Sequence, residues 1–182
     1  YGYRIVFESK MKVGLFFGSF NPVHNGHMVI AQYMAEFTDL SEVWLIVSPH
    51  NPLKVESSLL QDYHRLTLVR MAIGDYRKIK PSNIEFSLPK PSYTIHTLTY
   101  LKEKFPETDF VLIMGTDNLT TFHKWKNYEE IFAGYEIYTY PRTGSDGGRF
   151  KEHPKVKNIN APVMELSSSF IRHAIKTKKD VR

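Results

Sequence analysis

Cysteine is absent from the 182-residue chain. That gap removes disulfide scaffolds, thiolate metal sites, iron–sulfur clusters and thiol catalysis together. Long apolar runs are missing too: none reaches the length of a bilayer span, and no signal-peptide pattern opens the sequence. Compositional bias is also slight, with 42% apolar and 24% charged residues, which excludes collagen-like, coiled-coil and disordered chains. A soluble, cytoplasmic protein with no membrane partner is expected. The basic excess is modest, 24 Lys+Arg against 19 Asp+Glu for a net charge of +5. These cations are spread along the chain, with one cluster at Lys176, Lys178, Lys179 and Arg182. A nucleic-acid binder more often carries a stripe of cations interleaved with aromatics, so no nucleic-acid partner is expected. A mildly basic enzyme acting on phosphorylated small molecules fits the same charge.

The length implies one domain. Tyr1 is not a Met, and Met11 stands directly before the first strong strand, so residues 1–10 read as an upstream extension or expression remnant, or else as a native segment at a sheet edge. The domain itself is expected over residues 11–182.

Strands are expected at Lys12–Phe17, Val43–Val47, Ile84–Phe86, Asp109–Met114, Glu136–Tyr140 and Val163–Leu166. Between them, apolar residues recur at helical spacing. One helix starts at His27 with Ile30, Met34 and Phe37 on one face. Gln61–Ile73 follows, with Leu66, Val69 and Ile73 inward. A third helix is N-capped by Ser92 and turns Ile95, Leu98 and Phe105 inward. Glu129–Phe132 is a short helix, and the last begins at Ser167–Ser169 with Ile171, Ala174 and Ile175 inward.

The main strands are continuously apolar rather than alternating, which indicates a parallel sheet covered on both faces. The fold class expected is therefore α/β, a doubly wound Rossmann-like parallel sheet in a single domain. Ligands bind such sheets outside the carboxyl ends of the strands, where the strand order reverses. Four segments after strands qualify: Gly18–His27, Ser48–Lys54, Gly115–Trp125 and Ser167–Arg172.

Residues 18–27 read GSFNPVHNGH. Gly18 permits a sharp turn, Ser19 and Phe20 offer amide donors, and His24 and His27 stand at i and i+3 on a helix start. That combination makes an anion site. The alternatives are a metal pair or two unrelated surface histidines, but no third His or carboxylate stands at ligand spacing, so no protein metal site is expected. The dinucleotide fingerprint GxGxxG and a Walker loop are both absent. Residues 167–172 read SSSFIR, with hydroxyl and amide donors at a helix start and the guanidinium fork of Arg172 one turn later. The plainer reading is a serine cap followed by a surface arginine.

GSFNPVHNGH resembles the HxGH signature of the nucleotidylyltransferase superfamily, and SSSFIR, with Leu166 before it, resembles that superfamily's ISSxxIR motif. Residues 91–94 (PSYT), 115–119 (GTDNL) and 122–125 (FHKW) are similar to the nicotinate-nucleotide adenylyltransferase branch. The likeness covers about residues 11–177. It departs from the family at Ser48–Lys54, which is one residue shorter, and at Arg142–Thr143–Gly144, where the family carries Pro.

The resemblance implies adenylyl transfer from ATP to nicotinate mononucleotide, with Mg²⁺ carried on the ATP phosphates. It implies His24, His27 and Arg172 as catalytic. Gly18, Ser19, Phe20, Gly115, Asp117, Ser168 and Ser169 would bind ATP, Asp117 by accepting from ribose hydroxyls. Lys54, Thr94 and Trp125 would hold the mononucleotide, Trp125 by stacking on the pyridine ring. Alternative readings are the same chemistry with nicotinamide mononucleotide or phosphopantetheine as acceptor, or a non-catalytic nucleotide-binding module. A homo-oligomer is left open.

Overall fold

The computed structural model describes residues 10–49 and 59–181. Most of the expected extension at 1–10, and Lys54 with it, lies outside the described residues.

Lys12–Gly18 forms β1, and α1 follows at Asn25–Phe37. Next come β2 (Glu42–Val47), α2 (Asp62–Ile73), β3 (Ile79–Ser82) and α3 (Thr94–Lys104). After them stand β4 (Asp109–Gly115), the one-turn α4 (Thr116–Thr120), α5 (Tyr128–Gly134), β5 (Glu136–Tyr140), β6 (Val156–Asn158) and α6 (Ser168–Lys176). The six strands pair in the order β3-β2-β1-β4-β5-β6, all parallel. The chain winds outward from β1 on one side, then returns to β4 and winds outward on the other. The doubly wound α/β reading holds, and the strand order reverses between β1 and β4.

Each face of the sheet carries its own apolar layer. On one, Ile30, Met34, Leu66 and Val69 from α1 and α2 pack on Phe16, Leu45 and Ile113. On the other, Leu98, Leu101 and Ile131 from α3 and α5 pack on Leu15, Leu112 and Ile137. Each such side chain, fully buried, contributes about 1.5–3 kcal/mol by leaving water. Burial on both faces is why β1, β2 and β4 read as unbroken apolar runs.

Several expectations are corrected. Ile84–Phe86 is no strand but part of a 3₁₀ turn, and the strand lies earlier, at IKPS. Pro81 is tolerated there because β3 is an edge, where a missing N–H need not pair. Ser92 does not cap α3, which starts at Thr94 after Tyr93. Val163–Leu166 forms no strand, and the last strand is the three-residue β6. Phe37, expected inward, is 72% exposed; it is the last residue of α1, and its ring stacks on Tyr33. Phe105 lies just past the end of α3, half-buried against Trp44 and Phe110. In α6 only Ala174 is buried.

The amino ends of the strands carry an ionic cluster remote from the carboxyl ends. Lys12 Nζ donates to Asp39 Oδ2 and to the Tyr138 hydroxyl, each at 2.9 Å, and that hydroxyl donates to Asp39 Oδ1. Partial burial would raise the Asp39 carboxyl, but the Tyr138 and Lys12 hydrogen bonds outweigh it and hold the group at about 2. A carboxyl depressed in the folded state stabilises the fold above its unfolded value, and that contribution fades as pH falls from about 4 to about 2. Asp39 is half exposed, so solvent screening limits the effect to about 1 kcal/mol or less. Urea midpoints taken from pH 7 down to pH 2 should therefore fall less steeply below about pH 4 for Asp39→Asn than for the parent chain. Parallel curves would show that the cluster contributes nothing.

Candidate active site

At the end of β1 the chain turns over its own strand. Phe20 adopts a left-handed backbone (φ 44°) and folds its buried ring back against Phe16 and His27. A Cβ on Gly18 would lie 2.9 Å from Phe20 Cζ. The glycine is thus required for the space it leaves to the ring; Gly18 itself remains ordinary strand backbone.

That turn delivers His24 to the start of α1, where its extended backbone caps the helix. The backbone N–H of His24 donates to His27 Nδ1 at 3.3 Å, so a neutral His27 carries its proton on Nε2. The imidazole centroids stand 3.8 Å apart with a 33° tilt. Burial, and then the positive charge of Arg142, push the His24 pKa down. A neutral pair still donates N–H groups, and an arriving polyanion would favour its protonation.

α6 docks on the same turn. Ser167 caps it by accepting from Phe170 N at 3.1 Å. Ser168 Oγ donates to Pro22 O (2.9 Å), while Arg172 donates to Asn21 O (2.8 Å) and to Ser169 Oγ (3.1 Å). The two motifs from opposite ends of the chain therefore touch, and Arg172 and Ser168 brace the backbone of the histidine loop as well as facing its cavity.

At the switch point β4 ends in Gly115. A Cβ there would run into the Asp117 carboxylate and lie 2.8 Å from Arg142 Cγ, so any other residue would displace these two side chains. Arg142 is fixed by its N–H to Thr116 Oγ1 (3.0 Å) and by Nη1 to Met164 O (3.1 Å).

Two cavities meet over these strand ends. The first, about 350 Å³, is bounded by Ser19, His24, His27, Asp117, Arg142, Ser169 and Arg172. The second, about 450 Å³, is bounded by Ser48, Glu85, Thr94, Trp125 and Lys126, and shares Phe16–Ser19, Asn118 and Tyr140 with the first. The structure brings together every residue singled out from the sequence except Lys54, which lies outside the described residues, and Gly115, which lines neither cavity but lies against Asp117 and Arg142. Trp125 follows a 3₁₀ turn and leans on Phe122. Among the described residues, Trp125 Nε1, Ser92 Oγ and Glu85 Oε2 are buried without hydrogen-bond partners, and all three residues line the second cavity.

Three site residues escaped the sequence reading. Arg142 was noted only as part of a departure from the family pattern. Glu85 is buried, which raises its carboxyl pKa against the opposing hydroxyls of Thr97 and Ser48. Arg65 is fully buried in α2 and donates to the carbonyls of Leu60, Ser19, Ser48 and Pro49 and to Asp62. Its one sequence signal was position: it stands in the helical stripe with Leu66 and Val69, where a cation is out of place.

No three His, Asp or Glu side chains come together as a metal-ligand set among the described residues. No described helix is long and apolar enough to cross a membrane.

A model of the family described as cytidylyltransferase-like matches residues 15–174. A probable nicotinate-nucleotide adenylyltransferase of Christiangramia forsetii is 56% identical over 172 residues, 93% of this chain and 89% of that protein. The Bacteroides fragilis protein of the same description is 47% identical, covering 96% and 87%. Among solved structures, a Plasmodium falciparum nicotinic acid mononucleotide adenylyltransferase complexed with NaAD superposes with a TM-score of 0.80 at 21% identity, over 93% of this chain and 86% of that one. At that identity the likeness speaks for the fold.

Proposed function

The chain belongs to the cytidylyltransferase-like family and, within it, to the nicotinate-nucleotide adenylyltransferases, and from that premise we propose that its two joined cavities carry out adenylyl transfer from ATP to nicotinate mononucleotide in NAD biosynthesis. The observation that carries the assignment of roles is the meeting of the cavities at the switch point between β1 and β4. Two polyanions held there can be aligned for in-line displacement.

A phosphate oxygen of the mononucleotide attacks the α-phosphorus of ATP, the bond to the β-phosphate oxygen breaks, and pyrophosphate leaves. The attacking phosphomonoester, with a second pKa of about 6, is already largely dianionic near neutrality. No base is needed. The protein aligns the reactants and stabilises charge on the α-phosphate and departing pyrophosphate. We assign that stabilisation to His24, His27 and Arg172, with Ser19, Phe20, Ser168 and Ser169 on the ATP phosphates. Arg142 adds a second guanidinium to that cavity. Asp117, exposed at the start of α4, is the acceptor for ribose hydroxyls. Thr94 and Trp125 frame the pyridine ring. The divalent metal used by this class, here assigned as Mg²⁺, enters with the ATP phosphates as part of the nucleotide substrate, consistent with an ion that keeps its waters and takes few protein ligands.

Pyrophosphate release with ATP and each mononucleotide tests the reading. The expected result is turnover with nicotinate mononucleotide and a kcat/KM at least tenfold lower with the nicotinamide form, because donors aimed at a carboxylate meet an NH₂ group in the amide. Equal values would remove the acceptor assignment and leave adenylyl transfer standing.

A further inference from the structure

Lys126 is absorbed by neither the family motifs nor the roles above, yet it lines the acceptor cavity directly beside Trp125. Its ammonium lies 4.5 Å from the centroid of the Tyr93 ring. Tyr93 immediately precedes Thr94 at the start of α3, so this cation–π contact joins the two walls that carry Thr94 and Trp125. We propose that the Lys126 ammonium, held by the Tyr93 ring at the acceptor cavity, selects an acceptor bearing an anionic ring substituent over its neutral amide. The inference rests on the assignment of the second cavity to the pyridine mononucleotide.

The surrounding charges leave this ammonium available. Asn127 adopts a left-handed backbone (φ 52°) at the N-cap position just before α5, and its Nδ2 donates to Glu130 at 2.8 Å. Glu129 accepts from the Tyr128 hydroxyl at 3.1 Å. The nearest carboxylates in sequence are thus engaged, and among the described residues none forms an ion pair with Lys126. Among the described residues, the only carboxyl group lining the cavity is that of Glu85, which is buried and accepts from the Thr97 hydroxyl. Lys124 is the other lysine on the lining, but no ring restrains it among the contacts described.

Acid and amide rings share shape, size and the positive ring nitrogen, so stacking on Trp125 treats them alike. They differ by one full negative charge at the substituent. A fixed ammonium reads that difference directly, and the Tyr93 contact lowers the side-chain freedom lost when it does so. Lys126 is exposed, so its effect is moderate and screened by salt.

The test is kcat/KM for nicotinate and nicotinamide mononucleotides in the parent chain, K126Q and K126R, at low and high KCl. In K126Q the acid should lose about three- to tenfold, through KM, while the amide changes less than about twofold. The loss should shrink between roughly 0.05 and 0.5 M KCl, and K126R should keep the preference. Equal losses on both acceptors would mean a structural role and overturn the proposal. An acid preference that survives K126Q intact overturns it while leaving the acceptor assignment in place. A parent chain without preference removes that assignment, and this inference with it.

Discussion

Alanine at position 27 should lower kcat on the order of 100-fold or more, with a much smaller change in KM. The imidazole sits at the amino end of α1 with its Nδ1 held by the His24 amide, which fixes the ring orientation and puts the N–H of the neutral ring on Nε2. Its partner ring lies 3.8 Å away, and the Arg172 guanidinium is on the same cavity. Charge that develops on the α-phosphate and pyrophosphate during transfer meets these donors without their having to reorient, so the benefit appears in the transition state more than in binding. The ring also packs against Phe16 and Phe20, so part of any loss could come from the loop collapsing. His27→Asn keeps a polar side chain there, and a melting curve separates the two causes. Near-normal kcat in a folded His27→Ala would refute the anion-site reading.

Methionine in place of Arg65 should destabilise the fold by about 3–5 kcal/mol, the range for removing one partner from a buried polar network. The guanidinium has no exposed surface and reaches Leu60 O at 2.9 Å, Ser48 O at 2.8 Å and Asp62 Oδ1 at 2.7 Å, with Ser19 O and Pro49 O beside them. Methionine fills much of the volume but donates nothing, so several carbonyls would stay dry and unbonded. The carbonyls of Ser19, Ser48 and Pro49 stand directly after β1 and β2, beside the cavities, so activity should fall along with stability. Arg65→Lys keeps the charge but not the planar fork, and should recover only part of the loss. Urea titration reads the change; a loss below about 1 kcal/mol would mean that water replaces the arginine.

The central strands were legible because burial on both faces writes itself into composition. VGLFF, VWLIV and DFVLIM are β1, β2 and β4, and no helical period competes with them. The edges were not. IKPS and VKN are short, and Pro81 or Lys157 sits where an apolar residue would have given them away. An edge strand needs one paired neighbour and little burial, so it leaves almost no pattern. The misplaced strand at Ile84–Phe86 has the same origin: three residues of apparent β propensity say little against a 3₁₀ turn set by tertiary contacts.

By itself, then, the sequence determined the class of sheet and the loops that carry GSFNPVHNGH and SSSFIR, since periodicity and local turn chemistry act within a few residues. The tertiary structure alone decided the strand order and the contact of Arg172 with Asn21, 151 residues apart. It also decided the fate of the charged residues. Arg65 gathers acceptors from three turns, Lys126 finds the ring of Tyr93, and Glu85 is buried against α3. A charged side chain is neutral evidence in a sequence, because its energy depends on partners and solvent that only the assembled chain supplies.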